Sequence, residues 1–170
     1  MPKNKFYNFD RLAATIQIEK LETSYKEYTQ YSLQDLAIEI NSVRQNGEFK
    51  GSNNAIYIPT IGKSNVVNSI SKLKLKNHNY LQVILNEKAL NEYVSLFFSS
   101  DIGRLTLRSL VSGVTIKIIN KREIGKAVIA LPDINTQNQI VSTQNKINDL
   151  QYTIQEFSKQ VALNPTIDGH

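Results

Sequence analysis

The feature that most constrains this chain is a seven-residue repeat near its C-terminal end. Apolar residues occupy the a and d positions of this repeat and form a narrow stripe, here called the apolar seam: Ile140, Ile147, Leu150, Ile154, Phe157 and Val161. β-Branched residues at position a and Leu or Phe at position d are typical of coiled-coil helices. Polar residues fill the remaining positions, so this helix cannot be buried on all sides.

The start of the helix is predicted at Asn135 or Thr136, because Thr136 and Gln139 have the spacing of a capping box. A short strand over residues 127–131 comes before it and ends at Pro132. From that start, about 28 helical residues would form a rod of roughly 40 Å. A narrow stripe on so long a helix favours a projecting rod that binds a partner. The alternative is a helix that lies on the surface of a globular domain.

Charge is distributed unevenly along the chain, although its net value is only +5. Residues 40–130 contain 13 Lys or Arg and 5 acidic residues, and no acid occurs from Phe49 to Asn86. A solvated surface usually mixes both signs, so this basic module indicates a polyanionic partner, most simply nucleic acid. Residues 68–76, NSISKLKLK, alternate as in a strand with one cationic face. A charged edge strand that resists aggregation is the alternative interpretation.

The other segments predict short helices and strands. Helices are expected over residues 11–28 and 33–36, and a further one starts within residues 86–89 and continues through Phe98. If residues 102–110 are also helical, Arg104 and Arg108 share one face. Strands are expected over residues 38–40, 55–58, 80–85 and 116–119. We therefore predict an α+β fold, with a small twisted β-rich body, flanking helices and one long C-terminal helix.

Residue content argues against catalysis. The chain has no cysteine, and its two histidines, His78 and His170, form no metal-binding pair. Gly62-Lys63-Ser64 does not fit a phosphate-binding loop, because Tyr57 stands where that motif requires glycine. Asn164-Pro165 lacks the second proline and the aromatic residue of the NPPY motif of adenine methyltransferases. We expect a non-enzymatic protein that binds nucleic acid without a cofactor or a metal.

The sequence shows neither a secretory signal nor a membrane span. The N-terminal stretch has no apolar core of a secretory signal, and no apolar run reaches the length of about 18 residues that a membrane span needs. We expect a cytoplasmic protein that makes no contact with a membrane.

The stretch LPDINTQ at residues 131–137, followed by Ile140-Val141, resembles the LPPLxEQxxIV signature of type I restriction–modification specificity subunits. Asp133 and Thr136 stand where that signature has its second proline and its glutamate. Residues 31–36 and the run around Gly103 and Gly113 are similar to further elements of the family. In the family, the signature ends a DNA target recognition domain and opens a coiled-coil spacer helix.

The resemblance implies three parts: an N-terminal helix at residues 1–30, a target recognition domain at 31–134, and a coiled-coil spacer helix with its tail at 135–170. It also implies a specificity subunit that reads a half-site in double-stranded DNA and docks a methyltransferase subunit, in defence against foreign DNA. A full specificity subunit carries two recognition domains and two spacer helices, and we expect one of each here. A homodimer through the apolar seam would supply the second recognition domain and so bind a two-fold DNA site.

The expected DNA-binding residues are cations and polar side chains of the basic module: Lys50, Lys63, Ser64, Asn65, Lys72, Lys74, Arg104, Arg108, Ser112, Thr115 and Lys117. Lysines suit phosphates, whereas Arg104, Arg108 and Asn65 can form paired hydrogen bonds with base edges. A structural role for both arginines, bracing the aromatic helix that ends at Phe98, is the alternative. Two other functions stay open: the C-terminal reader of a larger adenine-specific DNA methyltransferase, and a coiled-coil adaptor that binds an acidic partner.

Overall fold

A computed structural model describes residues 25–113 and 117–163. Its elements are β1 (Thr29–Ser32), α1 (Leu33–Leu36), β2 (Ala37–Ser42), β3 (Ala55–Pro59), β4 (Tyr80–Leu85), α2 (Asn91–Ser99), α3 (Asp101–Ser109), α4 (Lys121–Ile124), β5 (Val128–Leu131) and α5 (Ile134–Leu163). Two 3₁₀ turns, Ile70–Lys72 and Asn77–Asn79, lie between β3 and β4. The predicted α+β class is confirmed. Most of the helix predicted at residues 11–28 lies outside the described residues.

Two antiparallel sheets form the body. One has the strand order β2-β4-β3, and the other pairs β1 with β5. Successive side chains of β4 point to opposite faces, as in any strand. Leu81, Val83 and Leu85 therefore face the main core, whereas Tyr80 and Ile84 face a second, smaller hydrophobic cluster. The three-stranded sheet thus separates two apolar layers.

Helices α2 and α3 contribute to the main core. Phe97 and Phe98 are buried in it, and their rings meet edge to face with centroids 5.6 Å apart. A Cβ atom on Gly103 would overlap the Phe97 carbonyl, so only glycine lets α3 start this close to the end of α2. The Tyr93 hydroxyl donates to the Ala130 carbonyl at 2.8 Å and ties α2 to β5. Burial raises the pKa of this phenol.

The second cluster covers the other face of the sheet. Its buried residues are Phe49, Ala55, Tyr57 and Tyr80. Gln82 is also buried there and donates to the Lys50 carbonyl at 2.7 Å and to the Tyr57 hydroxyl at 3.1 Å. This side chain therefore fixes the loop of Lys50 to the sheet.

The strand predicted at residues 68–76 is wrong. The segment opens as the 3₁₀ turn at Ile70–Lys72 and then runs on without pairing to a strand. Its alternation is nevertheless real, because Leu73 and Leu75 pack on the second cluster while Lys74 stays exposed. The backbone N–H groups of Lys74 and Leu75 donate to the Tyr80 hydroxyl, at 3.2 and 3.4 Å. A single side chain supplies the acceptor that a neighbouring strand would have supplied.

The start of α2 also differs from the prediction, which placed it within residues 86–89. Residues 86–90 form a turn instead, and α2 begins at Asn91. The Asn86 side chain accepts from the Lys88 N–H at 3.1 Å, a local bond that favours a turn. The Asn54 side chain holds this turn by donating to the carbonyls of Asn86 and Ala89 at 3.2 and 2.9 Å, and it also donates to the Leu85 carbonyl at the end of β4 at 3.2 Å.

Other differences are smaller. Strand β1 was not foreseen, and residues 25–28 just before it form a turn in which the Tyr28 N–H donates to the Tyr25 carbonyl at 3.1 Å. The condition that puts Arg104 and Arg108 on one face is met, because α3 spans Asp101–Ser109. The strand predicted at residues 116–119 is described only in part, as a bridge between Ser112 and Ile118.

Helix α5 is the predicted long C-terminal helix. Its 30 residues give a rod of about 45 Å. It begins at Ile134 because Asp133, not Thr136, provides the cap. The Asp133 carboxylate accepts from the backbone N–H groups of Asn135 and Thr136 at 2.9 and 3.1 Å, and from the Thr136 hydroxyl at 2.7 Å. Thr136 thus lies inside the first turn as a donor, and the predicted capping box with Gln139 is wrong.

Candidate nucleic-acid interface and partner helix

A first group of predicted DNA-binding residues lies around the second cluster. Lys50, Lys72 and Lys74 are exposed, and Lys76 joins them. The Gln82 side chain donates to the Lys50 carbonyl, and the Tyr80 hydroxyl accepts from the Lys74 N–H. The Lys72 ammonium donates to the Asn68 side chain at 2.8 Å. Lys50 and Lys74 are thus exposed on backbone that side chains of β4 hold in place, and with the neighbouring exposed Lys76 they are here called the lysine layer. Lys72 lies instead at the groove described below.

A second group lies where the loop after β3 meets the segment after α3. The Thr60 carbonyl accepts from the Ile119 N–H at 3.0 Å, and Ser112 and Ile118 exchange backbone bonds at 3.0 and 2.9 Å. These contacts join the start of the loop that carries Lys63 and Ser64 to the segment that carries Ser112 and Lys117. Gly62, with φ of 75°, provides the tight turn just before Lys63. Thr115 lies outside the described residues.

The two arginines lie one turn apart on α3, and both are exposed. The Arg104 guanidinium bonds Asp101 of the same helix at 2.8 Å. Both side chains of this pair are more than half exposed, so the pair contributes little to stability and its arginine can exchange partners at small cost. This contact lies within α3, so it does not join Arg104 to the aromatic residues of α2.

Asn65 borders a polar groove rather than the lysine layer. The groove has a volume of about 280 Å³ and lies between residues 65–72, α2 and α5. Five of its lining residues carry side-chain amides, namely Asn65, Asn68, Gln144, Asn145 and Asn148. Lys72 and Glu92 also line it. The amides from α5 were not predicted, because polar residues beside a heptad seam are indistinguishable in sequence from a solvated face.

The apolar seam is exposed along most of its length. Ile140 packs partly against the main core, but beyond it Leu150, Ile154 and Phe157 are 63, 63 and 61% exposed. At 3.6 residues per turn, these residues lie roughly 130° around the helix from the side that meets the body. The exposed seam is consistent with the predicted projecting rod.

Sequence reasoning missed Gln137, which is fully buried. Its side-chain oxygen accepts from the Leu90 N–H at 2.9 Å. Its side-chain nitrogen donates to the carbonyls of Lys88 and Pro132, each at 2.8 Å. A glutamine in a polar helix gives no signal of burial, and only its place in the LPDINTQ stretch marked it.

Two kinds of site are absent from the described residues. No group of three His, Asp or Glu among residues 25–113 and 117–163 is placed to hold a metal ion. Within the same ranges, no helix combines the length and the hydropathy that crossing a membrane requires.

No protein-family model matches the sequence, and no curated protein matches it. Among solved structures, the fold is similar to the crystal structure of the S subunit of a type I restriction–modification system from M. genitalium, with a TM-score of 0.53 and 14% sequence identity. The match covers 82% of this chain and 43% of that chain, so this chain spans less than half the length of that S subunit. At this identity the likeness is one of fold.

Proposed function

We propose that this protein is the DNA-reading specificity module of a type I-like restriction–modification system. The observation that carries the proposal is an S-subunit-like fold whose acid-free segment, residues 49–86, contains five lysines that are all exposed. In this proposal residues 31–134 act as the target recognition domain and residues 135–170 as the spacer. The module reads DNA and leaves catalysis to other subunits.

The proposed contacts divide into two kinds. The lysine layer neutralises phosphates and sets the register on the duplex, since an ammonium on a flexible stem recognises charge without sequence. Arg104 and Arg108 can grip the O6 and N7 atoms of guanine, and Asn65 can pair with N6 and N7 of adenine. Further proposed DNA contacts are Lys63, Ser64, Ser112, Thr115 and Lys117.

The rod supplies the partner surface of the proposal. Its exposed seam docks a methyltransferase subunit, a second copy of this chain, or both. Contiguous apolar residues exposed on a rigid helix are typical of an interaction surface. Two copies held at fixed separation would read two half-sites at a fixed distance, which a flexible linker could not impose.

The first test is binding of the purified protein to duplexes chosen from a random pool, compared with scrambled duplexes at several salt concentrations. If about five cations meet phosphates, the log–log salt slope is expected at roughly −4 to −5. Acidic protein as competitor tests the adaptor function. A flat salt response, or equal binding to the acidic protein, would contradict the DNA-reading proposal.

Single substitutions then separate positioning from reading. Lys74→Ala should weaken binding to all sequences alike and reduce the salt slope by about one. Arg104→Ala should cost about 1–3 kcal/mol on the selected site and relax the preference at one base pair. Lys159→Ala is the matched control, because it removes the same charge from the exposed rod. Equal losses for Lys74→Ala and Lys159→Ala would show a general charge effect only.

A further inference from the structure

We infer that Gln137 is a positioning residue that sets the direction in which α5 leaves the body. Its side chain bonds three backbone groups that belong to two segments outside α5: the turn after β4, through Lys88 and Leu90, and the end of β5, at Pro132. Three directional bonds from one planar amide define an orientation, whereas apolar contacts of the same area would allow sliding or rocking.

The rest of α5 offers little other support against tilting. Ile140 and Val141 are partly buried against the main core, and Gln144 is half-buried at the polar groove. From Asn145 to Leu163, every residue except Glu156 is exposed. The residues of α5 that are buried or half-buried against the body thus lie in its first three turns, and Gln137 is the fully buried one.

The length of the rod amplifies any change at this joint. About 26 residues separate Gln137 from the end of α5, which is roughly 39 Å. A tilt of about 10° at the joint would move the far end by roughly 7 Å, a distance of about two base pairs along a duplex. Gln137 therefore controls which spacing between two half-sites the assembled protein accepts, a role that rests on the proposed function.

The direct test measures the rod without DNA. Because the chain contains no cysteine, Ser42→Cys on β2 and Lys159→Cys on α5 give two unique spin-label positions, both exposed. Labelled protein diluted into unlabelled protein reports only distances within one chain. The parent should give one narrow distance distribution. Gln137→Met keeps the size of the side chain but removes its hydrogen bonds, so we expect a distribution shifted or broadened by several ångströms.

Gln155→Met is the matched control, since it makes the same change at an exposed position of the same helix. It should leave the distribution unchanged. Gln137→Leu repeats the test with another apolar shape, and circular dichroism reports whether each variant keeps its helices. An unchanged narrow distribution in a folded Gln137 variant would overturn the inference. Loss of native helicity in both Gln137 variants would show a general structural role and would overturn it as well.

A second readout links the joint to DNA. The parent and Gln137→Met are bound to duplexes carrying two half-sites whose gap changes by one base pair at a time. We expect a sharp optimum for the parent and a broader or displaced optimum for the variant, with unchanged binding to a single half-site. If no duplex is bound specifically, the proposed function fails, but the spin-label result still decides the role of Gln137.

Discussion

The main core and the apolar seam contain the same kinds of residues in opposite environments. In the core, Leu36 and Ile56 are fully buried, and Phe98 is nearly so. On the rod, Leu150, Ile154 and Phe157 are each more than 60% exposed. The difference arises from geometry. The core residues face other elements on several sides, whereas the seam occupies a narrow stripe turned away from the body.

Residue type and periodicity identify apolar faces but do not identify what covers them. A body of two apolar layers around a sheet can satisfy its own apolar residues. A single helix that projects from it cannot, because beyond Ile140 its seam has no facing element among the described residues. Core residues therefore stabilise the fold, and seam residues are expected to stabilise an assembly.

The sharpest test of this difference exchanges the same residue for alanine on both sides. Ile56→Ala removes a fully buried side chain and should cost about 2–5 kcal/mol of unfolding free energy. Ile154→Ala removes a mostly exposed side chain and should change it by less than about 0.5 kcal/mol. Chemical denaturation at low protein concentration measures both. If Ile154→Ala cost as much as Ile56→Ala, the seam would be packed within its own chain.

The counterpart of that test is association at high concentration. Leu150→Ala removes a d-position side chain and should weaken any assembly through the seam by about 2 kcal/mol, the low end for a packed leucine. Its unfolding free energy as a monomer should stay unchanged, since Leu150 is 63% exposed. Light scattering and binding to a methyltransferase subunit follow the loss. Unaltered mass and unaltered binding would remove the seam from the proposed interface.

The sequence predicts the body well where periodicity and local signals agree. Strands β3 and β4 and the long α5 lie close to their predicted positions. The short helix after Ser32 is also confirmed, with Ser32 and Asp35 forming a capping box. Each of these elements combines an apolar pattern with a start or stop residue of its own, so no distant contact is needed to define it.

Prediction failed where one side chain from elsewhere in the chain decides the local structure. Residues 68–76 have the alternation of a strand, but Tyr80 and the second cluster satisfy them without a neighbouring strand. The buried role of Gln137 depends on backbone groups about fifty residues earlier in the chain. At the candidate site, the sequence singled out exposed cations, but only the fold divides them into the lysine layer, the second loop group and the groove.

The lysine layer gives a third test, which asks how strongly the second cluster holds it. Tyr80→Phe keeps the buried ring and removes the hydroxyl that accepts from the N–H groups of Lys74 and Leu75. We expect a loss of about 1 kcal/mol in unfolding free energy and weaker DNA binding, because these amides lose their acceptor. Tyr31→Phe, at a half-buried ring on β1, is the control. Unchanged amide exchange at Lys74 would show that the hydroxyl is not what orders this segment.

The smallest expected effect lies at the boundary between the two regions, where Asp133 caps α5. Hydrogen bonds from the Thr136 hydroxyl and then from its backbone N–H lower the pKa of the Asp133 carboxyl below its ordinary value of 3.8. Since the folded-state pKa is the lower one, the stabilisation by this cap is fully present above pH 3.8 and is lost as the pH falls through the folded-state value.

Thr136→Val removes the hydroxyl donor and keeps a β-branched residue in the first turn, so the backbone bonds to Asp133 can remain. The pKa of Asp133 should therefore rise toward 3.8 without reaching it, because the N–H groups of Asn135 and Thr136 still donate. Titration of the Asp133 carboxyl carbon by NMR measures the change, and Thr153→Val on the exposed rod is the control. If Thr136→Val leaves the titration unchanged, the hydroxyl does not take part in the cap. If Thr153→Val shifts the Asp133 titration as far as Thr136→Val does, the effect belongs to the whole helix. In that case α5 would not divide into an anchored first turn and a free rod.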